Sequence, residues 1–246
     1  MGGKTRNGYS LLSAHRDHSV RCHEAAGMVA QGDLPQTARI PDDRTDGGLQ
    51  FDNGLCGRAL ISAWELTKDD RYLAAARKSG DWAIGRPLVS NWNYNAFSVG
   101  LLARLAIATG DEKYLNAAVK KAEIGVLPGQ MPGGRWFDAH NASAVYHNIL
   151  LRDLFELLHA LPAEHACRPT LLDALTRGLN QAADETLENG FAGTWTDNFA
   201  RGLQWIGANK KWRDALNVNL NASGKGNAPW PGIAALAVLE GIQSAP

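Results

Sequence analysis

The sequence predicts an all-α protein built from repeated helical hairpins, and three observations carry that prediction. Residues 58–76 and 100–118 align at a constant offset of 42, with Thr67, Asp69, Tyr72, Leu73, Ala75 and Ala76 falling on Thr109, Asp111, Tyr114, Leu115, Ala117 and Ala118. Each copy has the same internal order: an apolar run, a Thr-(Lys/Gly)-Asp turn, then Tyr-Leu-x-Ala-Ala opening a more amphipathic helix. Periods of this size signal stacked helix pairs. The same register sets Asp52-Asn53 over Tyr94-Asn95 at the entrance of each pair, with looser copies at Tyr146-His147 and Asp197-Asn198.

The elements follow in order. Tyr9 to Gln31 reads as helix. Residues 32–50 hold two prolines, three glycines and four aspartates, so they read as a long loop, a lid or substrate-binding segment. The loop delivers Phe51-Asp52-Asn53 to the first clear helix, which runs through Thr67, and its partner spans Asp70 to Ala83 before Arg86-Pro87. Asn91-Trp92-Asn93-Tyr94-Asn95 is a poor helix interior and a good helix entrance, because Asn side chains compete for backbone hydrogen bonds. The apolar segment Ala96 to Ala108, with Arg104 as its one charge, reads as a helix buried on most sides. Glu112 to Ile124 is its partner. Residues 127–141 form a second long loop carrying Arg135, Trp136, Asp138, His140 and Asn141. Helix follows at Ala142 to Leu161, Pro169 to Leu187, Phe199 to Gly207 and Gly232 to Ile242. No low-complexity linker divides the chain, so residues 1–246 read as one domain.

Composition narrows the partners. The formal net charge is +0 without a basic block, which points away from nucleic acid and from an anionic membrane surface. No apolar run approaches the length of a transmembrane helix. The first residues lack the apolar core of a signal peptide, and the sequence assigns neither a compartment nor an oligomeric state. Cys22, Cys56 and Cys167 give no disulfide framework and no zinc spacing. His15, His18 and Cys22 fall on one helical face, but no second ligand cluster accompanies them; we expect a polar helix face, no metal and no cofactor.

Alternating inner and outer helices, about nine to ten in number, fit an incomplete α/α toroid whose loops before the inner helices converge at one end. The Thr-Gly-Asp-x-x-Tyr-Leu-x-Ala-Ala hairpin at Thr109–Ala118 resembles those of the α/α-toroid carbohydrate-active enzymes: polysaccharide lyases, unsaturated-glucuronyl hydrolases and N-acylglucosamine-type epimerases. The resemblance covers about residues 51 to 190 and implies an oligo- or polysaccharide substrate. The converging loops suit it. Trp92, Trp136, Trp195 and Trp230 offer indole faces for pyranose rings, and Asn53, Asn93, Asn141, His140 and Asp197 offer hydrogen bonds.

Two chemistries can be built there. The first, and the leading expectation, is β-elimination from a uronate, which needs its carboxylate neutralised. Asn95 and Arg135, helped by Asn53, would do this. His147 or Tyr146 would take the proton, and Tyr94 or Tyr146 would protonate the leaving oxygen. An Asn on an inner helix, a later Arg and a Tyr shortly after it resemble the site of alginate-lyase-type toroid enzymes. The second is glycoside hydrolysis by two carboxyls drawn from Asp52, Asp138 and Asp197. Epimerisation would use His140 with His147. A non-catalytic helical-repeat module would present charged and aliphatic groove residues, rather than this set of Asn, Trp, Tyr and His.

Overall fold

The computed structural model describes residues 47–137, 141–190 and 196–224. Among them are eight α-helices and no strand: α1 Gly47–Thr67, α2 Asp70–Ile84, α3 Trp92–Thr109, α4 Glu112–Gly125, α5 Ala144–Ala160, α6 Arg168–Asn189, α7 Thr196–Trp205 and α8 Lys210–Gly224. One 3-10 turn, Leu127–Gly129, and one isolated antiparallel bridge, Gln130 to Trp136, shape the stretch after α4. The expected helices at 9–31 and 232–242, and the His15, His18 and Cys22 face, lie outside the described residues, as do positions 32–46 of the first long loop.

The repeat survives in atomic detail. At the α1–α2 turn, the Thr67 hydroxyl donates to Ala63 O (2.7 Å) and accepts from Asp69 N (3.2 Å), while Asp69 Oδ1 accepts from Arg71 N (3.0 Å). At the α3–α4 turn, Thr109 donates to Leu105 O (2.6 Å) and accepts from Asp111 N (3.2 Å), and Asp111 Oδ1 accepts from Lys113 N (3.0 Å). Asp69 and Asp111 are thus N-caps, each with its side chain satisfying an orphan amide of the second helix. The residue between Thr and Asp must turn left-handed: Gly110 sits at φ 68 and Lys68 at φ 58. Only glycine does so without a Cβ clash, which otherwise costs about 1–2 kcal/mol. Gly110→Ala is therefore expected to lower stability by about 1 kcal/mol. Lys68→Gly is expected to raise it by a few tenths, because added freedom in the unfolded chain offsets part of the relief. Urea denaturation of both variants checks the pair.

The odd-numbered helices pack on one another in succession, α1 on α3, α3 on α5 and α5 on α7; each even-numbered helix packs against the odd one before it. The even helices touch as α2 with α4 and α6 with α8. The apolar core lies where the two sets meet and is densest on α3, where Ala96, Phe97, Val99, Leu101, Leu102, Ala103 and Leu105 are all buried. This is the segment that the sequence marks as buried on most sides.

Several boundaries shift. Asp52 and Asn53 lie inside α1 rather than at its entrance, because α1 begins at Gly47. Local signs favour a turn at Asp52-Asn53-Gly54, but tertiary packing overrides them: a Cβ at Gly54 would lie 2.7 Å from the Phe97 carbonyl oxygen, so that glycine serves close helix approach. Gln50 then anchors the first turn, donating to Pro87 O and accepting from the Ser98 hydroxyl, both at 3.0 Å. Likewise, Trp92 to Asn95 form the first turn of α3, with Asn91 as N-cap. Tyr146 and His147 lie in the first turn of α5 instead of its second, and Asp197-Asn198 lie in the first turn of α7 rather than before it. Helix α8 escapes the sequence reading because its three asparagines and terminal glycine mask the apolar stripe. Trp212, Ala215 and Leu216 bury that stripe.

Candidate functional site

Two layers of polar residues run along the odd helices. The first lies at their N-terminal ends, where the sequence places the site. There the asparagines act as ties. Asn95 is fully buried; it accepts from Val89 N (3.0 Å) and donates to Val89 O and Gly125 O (both 2.8 Å). Asn53 donates to Ser79 O (3.0 Å), and His147 Nε2 contacts Gly178 O (3.2 Å). Asn53, Asn95 and His147 therefore do the same thing in successive hairpins. Each fastens one of the first two turns of an odd helix to a backbone carbonyl of the even helix that follows. Neighbouring odd helices are joined in the same layer. Asn93 donates from its amide and backbone to Asn141 Oδ1 (3.0 and 3.1 Å), and Asn198 donates to Asn148 Oδ1 (2.6 Å) and Asn148 O (3.0 Å).

These ties correct the expected roles of several residues. An amide with both donor and acceptor committed to backbone has nothing to offer a substrate carboxylate, so Asn95 does not neutralise one. Arg135 is ion-paired with Glu185. The His147 ring is fully buried, 5.2 Å from the buried Trp136 ring in an edge-on contact. Burial first, then the charge of Arg135, pushes its imidazole down to about 3, which makes it a poor base shut away from solvent. Because the Gly178 carbonyl can only accept, the neutral tautomer carries its proton on Nε2. Trp136 is fully buried and donates to Val126 O (2.8 Å), so its indole is a packing element rather than a sugar platform, while the half-buried Trp92 lies against Gly129. Asn93 and Asn141 are buried as well. Asp52 is exposed, while Tyr94 and Tyr146 are half-buried. Asp138, His140, Trp195 and Trp230 lie outside the described residues.

The second layer, deeper along the odd helices, is absent from the sequence reading. Each of the four carries one arginine there: Arg58 on α1, Arg104 on α3, Arg152 on α5 and Arg201 on α7. Arg58 pairs with the fully buried Asp153 of α5 across α3, at the level of Gly100, where a Cβ would overlap the carboxylate. Burial lowers the Arg58 guanidinium to about 10 and raises the Asp153 carboxyl, while the opposite charge of each partner resists both changes. The Phe97 ring carries two guanidinium groups, Arg58 at 5.5 Å and Arg152 at 5.8 Å from its centroid. Arg201 pairs with Glu156 (2.9 Å), and Arg104 with Glu65 (2.5 Å) and the Ser62 hydroxyl (3.1 Å).

Around Arg201 two carboxyls are driven apart. Burial works to raise Glu156, but Arg201, Arg104 and Arg58 together hold it below the ordinary carboxylate range. Asp197, in the first turn of α7, moves the other way. Burial raises it above that range against the pull of Arg201, Arg152 and two backbone N–H groups. Of the two, Glu156 is therefore the more readily ionised and Asp197 the more readily protonated. That is the division of labour an acid–base pair needs. The clue in the sequence is a lone arginine recurring in each apolar odd helix.

Among the described residues, no three His, Cys, Asp or Glu side chains gather as metal ligands, and no helix is long and apolar enough to cross a membrane. Compared with family models, with curated proteins and with solved structures, the chain finds no match in any of the three.

Proposed function

We propose that the chain is a carbohydrate-active enzyme of the α/α-toroid type that cleaves a glycan by hydrolysis, with Asp197 as general acid and Glu156 as the ionised partner. The successive packing of α1, α3, α5 and α7 supports these helices as the inner row of an incomplete toroid, with the even helices outside. The observation that carries the chemistry is the pairing of Glu156 with Arg201 at 2.9 Å, one helical turn along α7 from Asp197; the surroundings push the two carboxyls in opposite directions. Glycoside hydrolysis needs one carboxyl that can give a proton to the leaving oxygen and one that stays charged. Hydrolysis is preferred to β-elimination because the Asn95 amide, the Arg135 guanidinium and the His147 imidazole, which elimination would use, are committed to backbone or to Glu185. Epimerisation by His140 with His147 loses one of its two bases to the same burial.

A panel of acidic and neutral polysaccharides, followed together for reducing ends and for ultraviolet absorbance, tests the reading. Hydrolysis releases reducing ends without a new chromophore, whereas elimination leaves a conjugated, absorbing double bond. We expect reducing ends alone, with Asp197→Asn lowering turnover by a factor of about 100 or more. Absorbance rising with the reducing ends would restore the elimination chemistry. Silence across the whole panel would favour a binding module.

A further inference from the structure

We infer that the face of α1 turned away from α3 is a self-association surface, on which a second copy of this chain lays its own α1 antiparallel. Gln50, Gly54 and Gly57 are buried and meet α3 from the opposite side of the helix. The repeat shows which residues should be covered on the free side. On α3, the residues that meet α1 are Phe97, Ser98, Leu101 and Arg104. The offset of 42 maps them onto Leu55, Cys56, Ala59 and Ser62, and the first three of these are exposed. Charge is also scarce there. Arg58 and Glu65 are ion-paired within the chain, which leaves Asp52 as the one charge on the exposed face of α1. A helix apolar all round is a helix meant to be covered.

A second copy fits because the face is self-complementary. Leu49, Asp52, Cys56, Ala59, Ala63 and Leu66 recur at alternating spacings of three and four, the seam of a coiled coil. Its two ends, Leu66 and Leu49, are the most exposed large apolar side chains among the described residues, at 85% and 55%. Set antiparallel about a two-fold axis between Gly57 and Arg58, each Leu49 meets Leu66 of the second copy and each Cys56 meets Ala59. The small central side chains let the two backbones approach closely, which brings the leucines into contact at both ends. Asp52 sets the orientation. Parallel pairing would oppose the two Asp52 carboxylates, whereas antiparallel pairing separates them by about 16 Å along the axis, and each faces Ala63. The same patch is used by both copies, so the contact closes after two chains. The surface stands apart from the hydrolytic reading, since Glu156 and Asp197 lie on other helices.

Light scattering after size exclusion, over a wide range of concentrations of the full chain, tests the surface in wild type, Ala59→Arg and Ala59→Glu. Circular dichroism checks that both variants fold. We expect a concentration-dependent dimer in wild type, and self-association weaker by a factor of about ten or more in either variant alone. Mixing the two variants is expected to restore the dimer, because position 59 lies beside its own copy only in the two-fold arrangement. In a Cys22→Ser background, a short bismaleimide is expected to join two chains through the exposed Cys56, since Cys167 is buried. A wild type that stays monomeric throughout, or a dimer undiminished in both folded variants, would overturn the inference. Assemblies growing beyond two chains would overturn it in favour of a head-to-tail contact. A monomer whose Cys56 resists maleimide would do so by showing that the face is covered within the chain.

Discussion

Replacing Asp153 with alanine is expected to cost about 3–5 kcal/mol of stability, among the largest effects a single substitution can have. The side chain is fully buried on α5 and neutralises Arg58 of α1, with Arg152 close by. Both guanidinium groups lie against one ring, Phe97. Without the carboxylate, two like charges would share an apolar surface with only the more distant Glu156 acting on Arg58, which is 8% exposed. The loss comes from the uncompensated charge rather than from the worth of the pair itself. The double change Arg58→Met with Asp153→Leu should therefore recover much of it, as buried ion pairs replaced by apolar groups of similar size often do. Urea denaturation of the single and double variants measures this directly. A double variant as unstable as Asp153→Ala would show that packing, not charge, dominates the site.

The second large effect is on acid stability, and it comes from His147. Its folded value lies at about 3 against 6.5 for the free side chain. Between those values the unfolded chain takes up a proton that the folded chain refuses. The contribution is thus complete above the unfolded value and is lost as pH falls from there toward the folded one. At about 1.4 kcal/mol per unit, the window amounts to about 5 kcal/mol. His147→Gln keeps a donor for Gly178 O and removes the titration. Comparing urea midpoints at about pH 7.5 and about pH 4.5 should show a steep loss in wild type and a shallower one in the variant. Asp153 and Asp197, both raised by burial, pull in the opposite direction, but they are common to both proteins and cancel in the difference. Equal slopes would contradict a buried, neutral imidazole.

How much of this is legible in the sequence differs by layer. The hairpins are readable because their turns are local: Thr67 and Asp69, like Thr109 and Asp111, bond to neighbours within four residues. The helix starts are less so, since Gln50, Asn53 and Gly54 are settled by contacts with Pro87, Ser79 and Phe97. No local pattern carries those. The asparagines and His147 stand out in the sequence at the helix entrances, but residue type does not say whether a polar group faces a substrate or a carbonyl. Asn95 and Gly125 are 30 residues apart in sequence, and the bond between them decides the role. The arginines are obscured by the opposite effect. A single arginine in a largely apolar helix reads as an exception to the pattern, and the link from Arg58 to Asp153 spans 95 residues. Asp197 is a candidate carboxyl from sequence alone, whereas Glu156 is not, because its environment comes from Arg201 on another helix.

The central claim is that the chemistry belongs to the arginine-lined layer and that the asparagine and histidine layer is structural. One measurement separates them: glycan turnover by Asp197→Asn and His147→Gln side by side, on whichever polysaccharide the wild type cleaves, with folding checked by circular dichroism. We predict that Asp197→Asn is nearly inactive and that His147→Gln, once folded, turns over at close to the wild-type rate. A folded His147→Gln without activity, beside an active Asp197→Asn, would contradict the account and return the site to the asparagine and histidine layer.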